Sequence, residues 1–244
     1  MSDPMRRTRG EELLLARISA AAGRQRLGRR RATYAAAART ARTAHAKALP
    51  ARGIRCLLAL VRHGGSAGAG AANARDAARL DLYENGLTVA VKSRIHVVRY
   101  DTTSVFRTET TRAADTGHTG AACALTDVDG ERVVLRYEPE RGEVPGWWSG
   151  IEQGVIRAQL PRALAALAKG ERLAFGAVRL TGEEIGWGEV SARWPRVRRL
   201  WTGPGAVRLD VDGTWHELGL TGPDIPNLFV LRALVERLGG DGAR

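Results

Sequence analysis

The segment whose spacing comes closest to a catalytic motif is Gly64-Gly65-Ser66-Ala67-Gly68, which fits the G-x-S-x-G pattern of serine hydrolases. In those enzymes the serine lies on a strained turn between a strand and a helix, and histidine and acidic partners come from elsewhere. Here a Gly/Ala/Ser-rich stretch surrounds the serine, up to residue 78. This composition is typical of a flexible linker, and we interpret residues 64–78 as one.

The tetrapeptide Asp-Val-Asp-Gly occurs twice, at residues 127–130 and 210–213, and its acids suggest calcium. A calcium-binding EF-hand loop has acids at positions 1, 3 and 5 and glycine at position 6. Here glycine comes fourth, and apolar residues alternate on both sides. Asp-Gly in that setting predicts the tip of a β-hairpin.

The five histidines are scattered along the chain, and none lies at metal-ligand spacing from another histidine or from Cys56 or Cys123. His96 lies in a strand pattern and is predicted to be half-exposed. His118 lies in a polar loop, where solvation is favoured over contact with a ligand. The sequence therefore predicts no catalytic, metal or cofactor-binding residue, no cofactor and no small-molecule ligand, and we expect a non-enzymatic protein.

The net charge of +12 is concentrated at one end of the chain. Residues 1–56 contain 14 of the Arg and Lys residues against 3 Asp and Glu, and residues 57–244 contain 24 against 23. No apolar run approaches the roughly 20 residues that span a bilayer, and no export signal is evident. We expect a cytoplasmic protein that is attached peripherally to a membrane through this basic segment.

An anionic membrane surface attracts each nearby basic residue by about 1 kcal/mol, so several together would localise the protein weakly. An acidic protein partner is an equivalent expectation. Nucleic acid is the alternative, although only Tyr34 is available for base stacking and no helix-turn-helix pattern is present. The predicted contact residues are Arg6, Arg7, Arg9, Arg24, Arg26, Arg29, Arg30, Arg31, Arg39 and Arg42.

A second possible contact surface combines tryptophans with arginines. Four arginines surround Trp194 and Trp201, and a Trp pair opens a predicted helix, where one ring is expected beneath the helix and the other between two halves or on a surface. Solvated arginines are favoured over an anion site. The residues of this set are Trp147, Trp148, Arg193, Arg196, Arg198 and Arg199.

The chain predicts helices near both ends and strands between them. Apolar spacing predicts helices over residues 11–24, 146–170 and 225–240, with Pro161 expected to kink or divide the second. Alanine content predicts another helix over residues 32–49. Asn85-Gly86 predicts a type I′ hairpin, and alternating residues predict further strands in residues 80–137 and 172–218.

The two Asp-Val-Asp-Gly turns indicate a duplicated unit. Each half contains about six strands, an Asp-Gly hairpin and a closing helix, which is the plan of a pleckstrin-homology-like domain. We therefore predict a mainly β (α+β) protein with two tandem bent sheets, each closed by a C-terminal helix. The predicted domains are a basic helical region (1–63), a linker (64–78) and two halves (79–170 and 171–244).

Several motifs also resemble an uncharacterised family of proteins from high-GC bacteria whose fold is similar to pleckstrin-homology-like domains. They are the Asn85-Gly86-Leu87 strand start, the segments 27–35 and 165–181, Trp194, and the helix entry at Ile225 to Leu228. The resemblance covers most of residues 80–240. It implies the architecture of the chain and assigns no activity to any residue.

Overall fold

The computed structural model describes residues 8–41, 77–111, 119–137, 145–203 and 205–240. The Ser66 motif, Cys56, His118, Arg6, Arg7 and Arg42 lie outside these ranges. So does the predicted linker, except for residues 77 and 78, which begin a strand. The described chain is mainly β with three α-helices, and every strand pair in it is antiparallel.

The first half forms one sheet of seven strands in the order β4-β3-β2-β1-β7-β6-β5. Helix α1 (Arg9–Arg24) precedes this sheet, and helix α2 (Gly146–Ala168) follows it and continues through Pro161. The strands are β1 (Arg30–Ala41), β2 (Ala77–Tyr83), β3 (Gly86–Val91), β4 (Arg94–Arg99), β5 (Val105–Thr111), β6 (Thr119–Thr126) and β7 (Arg132–Tyr137).

Strand β1 corrects the helix predicted over residues 32–49, because residues 32–41 belong to it. It is the central strand, and it pairs with β2 through residues 30–37 and with β7 through residues 37–41. Alanine is the best helix former and is depleted in strands, but tertiary context routinely overrides such propensities. Backbone bonds to two neighbours and burial of Ala38 outweigh that preference.

The Asn85-Gly86 hairpin is confirmed between β2 and β3, but the reason for its glycine differs from the prediction. Neither residue has a positive φ, so the turn is not type I′. A Cβ atom on Gly86 would overlap the carbonyl oxygen of Val98 and lie 2.8 Å from Leu27. The glycine is therefore required for close packing of β3 against β4.

The second half forms two smaller sheets, in the orders β11-β10-β9-β8 and β12-β13-β14. Its closing helix, α3 (Leu228–Leu238), follows the last strand. The strands are β8 (Leu173–Phe175), β9 (Val178–Leu180), β10 (Glu184–Trp187), β11 (Val190–Arg193), β12 (Val197–Gly203), β13 (Ala206–Val211) and β14 (Thr214–Glu217).

The two Asp-Val-Asp-Gly turns occupy equivalent positions in the strand order. Each half has four consecutive strands, then three, then a helix, and each turn joins the sixth strand to the seventh. The first aspartate of each turn is buried and caps it: Asp127 accepts the Glu131 N–H at 2.7 Å, and Asp210 accepts the Gly213 N–H at 2.9 Å. This correspondence supports duplication of one unit.

One continuous apolar core runs through both halves. Trp147 and Trp148 are both buried, which corrects the alternative that placed one of them on a contact surface. The Trp148 ring meets the Phe229 ring of α3 edge to face, with centroids 6.3 Å apart. The Trp148 ring therefore lies between the halves, where its burial contributes several kcal/mol of apolar stabilisation.

A polar contact beside this core ties α3 to the first half. Asn227, which precedes α3, accepts the Val105 N–H at 2.8 Å through its Oδ1. Its Nδ2 donates to the Thr103 carbonyl at 3.0 Å and to Gln159 Oε1 at 2.8 Å. The buried amide therefore joins β5, α2 and α3 in one hydrogen-bonded unit.

Asp101 forms a second polar cluster at the same junction. Its carboxylate accepts two bonds from Arg99, at 3.0 and 2.8 Å, and one from Arg162 at 3.0 Å. The hydrogen bonds from Arg99 are the main cause that lowers the pKa of Asp101 to about 2. The carboxylate is thus ionised in the folded protein even in moderately acidic solution.

We expect this pairing to stabilise the fold above the ordinary aspartate pKa and to be lost as the pH falls towards 2. Asp101→Asn should therefore lower the free energy of unfolding by about 1–2 kcal/mol at neutral pH, allowing for solvent screening. Urea unfolding of both proteins from neutral pH downward measures the difference, which should shrink below about pH 4. A difference that does not change with pH would contradict the assignment.

Candidate anionic-surface interface

Helix α1 is fixed on the outer side of the first sheet. Thr8 and Glu11 form a reciprocal capping box, in which the Thr8 N–H donates to Glu11 Oε2 at 2.8 Å. The buried side of α1 contains Ile18, Ala21 and Ala22, and the two alanines join a small apolar cluster with Leu27, Tyr83 and Val97. The helix thereby presents its opposite side to solvent.

The exposed stripe of α1 combines cations with one large apolar side chain. Leu13 is 63% exposed, and Arg17 donates to the Ser93 carbonyl at 2.9 Å. Residues spaced by three or four positions share a helix face. Two acidic residues are close to this stripe: Glu11 is engaged in the cap, and the exposed Glu12 lies beside Arg9 and Ala16. The stripe consists of Arg9, Leu13, Ala16, Arg17, Ala20 and Arg24.

The structure divides the predicted arginine contacts into two groups. Arg9, Arg24, Arg26 and Arg29 are exposed, and their guanidinium groups form no ion pair with another described residue. The remaining described ones belong to β1, where Arg30 lies 3.7 Å from Asp81 and Arg31 lies 2.6 Å from Glu84, while Arg39 is a backbone partner of β7. Because nearby carboxylates partly neutralise Arg30 and Arg31, these two residues attract an anionic partner less strongly than the four exposed arginines.

The second arginine set is exposed but partly neutralised. Arg196 pairs with Asp212 at 2.6 Å, and Arg199 pairs with Asp210 at 3.3 Å. Arg193 and Arg198 are exposed and have no ion-pair partner among the residues described here. Trp194, in contrast, is buried and donates its indole N–H to the Thr181 carbonyl at 2.9 Å.

Two tryptophans that do reach solvent lie on the sheet β12-β13-β14. Trp201 is 42% exposed and Trp215 is 41% exposed. The Arg208 guanidinium lies 5.3 Å from the Trp201 ring, and the Arg199 guanidinium lies 5.1 Å from the Trp215 ring. Each arginine thus covers a ring and also meets a carboxylate, so the cations are already engaged within the sheet.

His96 is the residue that sequence analysis placed wrongly. It is 3% exposed, and its Nδ1 lies 2.8 Å from Asp127 Oδ2 and 3.7 Å from Glu131 Oε2. This trio has donors that suit a metal ion, but Glu131 also binds Arg94 at 2.7 Å. In the second half the equivalent aspartate, Asp210, binds a guanidinium. A structural contact between a carboxylate and a basic side chain accounts for both sites.

The repeated tetrapeptide contained the signal for this contact. Its first aspartate caps a turn through one oxygen and therefore presents the other oxygen to a neighbouring strand. A histidine or arginine on that strand is the expected partner. The pairing of β12 with β13 places Arg199 beside Asp210, whereas His96 lies on β4, which pairs with neither β6 nor β7 and meets Asp127 only because of how the sheet folds. Local sequence reports neither arrangement.

The fold is that of a mainly β protein whose two strand-rich halves share one core, with helix α1 packed on the first sheet. The chain belongs to a family of unknown function, DUF6585, whose model matches residues 68–241. The match starts after α1 and β1, although β1 completes the sheet. A search of curated proteins finds no match. Within the described segments, no helix combines the length and apolar character needed to cross a bilayer.

Proposed function

We propose that the protein is a non-catalytic binding protein with two pleckstrin-homology-like halves, and that it attaches to an anionic membrane surface through α1. The order of elements in each half, four strands, three strands and a closing helix, supports the fold assignment. The first half supports it further, since β1 bridges the four-strand and three-strand groups.

The observation that carries the attachment is the exposed stripe of α1, in which Leu13 lies among three arginines. Each arginine near an anionic bilayer contributes about 1 kcal/mol. Insertion of a leucine side chain contributes about 1.5–3 kcal/mol at full burial. The sum, about 5 kcal/mol, gives weak and reversible binding to the anionic cytoplasmic leaflet.

Co-sedimentation of the full chain with vesicles tests this attachment. We expect the wild type to pellet with phosphatidylcholine vesicles containing about 30% phosphatidylserine but not with phosphatidylcholine alone. The triple variant Arg9→Gln, Leu13→Ser, Arg24→Gln should lose binding about tenfold or more, because it removes two charges and the apolar contact.

The matched control is Arg172→Gln, Val190→Ser, Arg237→Gln, which removes the same charges and an exposed apolar side chain far from α1 in sequence. It should pellet like the wild type. Equal loss in both variants, or no pelleting of the wild type, would refute the attachment. Binding to duplex DNA at about 50 mM salt, without vesicle binding, would replace it with the nucleic-acid alternative.

A further inference from the structure

A cavity of 370 Å³ opens to solvent where α2, β8 and the start of α3 meet. Its volume lies in the lower part of the range for small-molecule sites. The apolar part of its lining combines small and large side chains from all three elements, namely Ala163, Ala166, Leu173, Phe175 and Val230. An apolar group of modest size therefore fits between the two halves.

The rim of the cavity contains one carboxylate and one guanidinium group. Asp101 and Arg162 both line it, and Asp101 is shared by Arg99 and Arg162. Arg99 lies outside the lining, but it pairs with Asp101 through two hydrogen bonds, so the cluster of three side chains has a net charge of about +1 and Asp101 does not neutralise Arg162 alone. Arg162 uses only Nη1 towards Asp101, and its side chain is 65% exposed. Its remaining N–H groups can receive a second anion.

The other polar groups of the lining differ in what they can offer. The amides of Gln159 and Asn227 are bonded to each other, and Gln159 also donates to the Tyr100 and Thr103 carbonyls. Because these two amides are bonded within the protein, they form a fixed wall of the cavity. Ser104 lines the cavity, and its hydroxyl bonds to no other residue that the structure describes. One cation and one hydroxyl are thus available to a ligand.

We infer that this cavity binds a small carboxylate with a short apolar chain. The planar guanidinium of Arg162 matches a carboxylate with two parallel hydrogen bonds, and Ser104 supplies a further donor. The apolar chain lies against Ala163, Ala166 and Phe175. A phosphate ester carries nearly twice the charge and is matched less well by a single surplus cation. This site is independent of α1 and of membrane attachment.

Isothermal titration of the full chain with octanoate tests the inference. A ligand of this size is expected to bind with a dissociation constant of about 0.1–1 mM. Octanol and octylamine have the same chain without the negative charge, and both should bind at least about tenfold more weakly. This comparison separates recognition of the carboxylate from simple apolar binding.

Two variants locate the site. Arg162→Gln should weaken octanoate binding about tenfold, and because the side chain is largely exposed, the variant should remain folded. Ala163→Leu should fill the cavity and weaken binding of octanoate and octanol alike. Arg157→Gln removes an exposed arginine of the same helix outside the cavity and should leave the affinity unchanged.

Absence of octanoate binding up to about 10 mM would overturn the inference. So would equal affinity in the wild type and Arg162→Gln, because binding would then not depend on the rim cation. If Ala163→Leu fails to fold, the comparison of Arg162→Gln with Arg157→Gln still decides the question.

Discussion

Replacing Asn227 by alanine is expected to lower the free energy of unfolding by about 3–5 kcal/mol. The amide is 7% exposed and makes three hydrogen bonds, to Val105, Thr103 and Gln159. Alanine would leave these groups buried and without that partner, at about 1–3 kcal/mol for each group left unsatisfied. Urea denaturation followed by tryptophan fluorescence measures the loss.

The backbone at this position adds a second contribution that glycine isolates. Asn227 has a φ of 50°, in the left-handed region that asparagine tolerates better than alanine. Asn227→Gly removes the side-chain bonds without backbone strain, so it should be about 1 kcal/mol more stable than Asn227→Ala. Losses below about 1 kcal/mol in both variants would show that the amide does not hold the halves together.

Gly154→Ala in α2 is the second large effect, and its sign is opposite to the usual one. Alanine normally stabilises a helix interior by about 1 kcal/mol relative to glycine. Here a Cβ atom would overlap the Tyr100 ring, with Cδ2 at 2.7 Å. Tyr100 is 1% exposed and packs within the apolar core, so moving its ring would disturb its neighbours. We expect a net destabilisation of about 1–3 kcal/mol in thermal or urea unfolding.

Two glycines of the same helix provide controls. A Cβ on Gly146 would lie 3.5 Å from the Tyr34 hydroxyl, an ordinary contact, so Gly146→Ala should be nearly neutral. At Gly150 the nearest atom, at 2.7 Å, is the terminal Cδ1 of Leu82, which can rotate. Gly150→Ala should therefore be intermediate. A Gly154→Ala protein as stable as the wild type would show that the Tyr100 ring moves aside.

Much of the fold could be predicted from local sequence patterns. The Asp-Gly turns, the Asn85-Gly86 hairpin, α2 and α3 all follow from turn residues and apolar periodicity within short windows. The failures share one cause. Residues 32–41 form a strand because β2 and β7 flank them, and His96 is buried because the fold brings it against Asp127. Contacts between distant segments decided these placements, and local propensity does not report them.

The candidate sites also differ in how much of each could be predicted from the sequence. The spacing of the α1 arginines is visible in the sequence, but the exposure of Leu13 follows only from the side that packs on the sheet. The cavity could not be predicted at all, since Arg162, Leu173 and Val230 come from three separate elements. Their convergence depends on how the two halves pack.

The position of β1 bears on how the protein emerges from the ribosome. β1 is synthesised before the other strands of its sheet. Its two neighbours, β2 and β7, follow after long stretches of chain, and β7 is the last of the seven strands to be synthesised. The sheet therefore cannot be completed until most of the first half has been synthesised. Until then, backbone N–H and C=O groups of β1 lack their strand partners, and unpaired strand edges of this kind favour aggregation of a nascent chain.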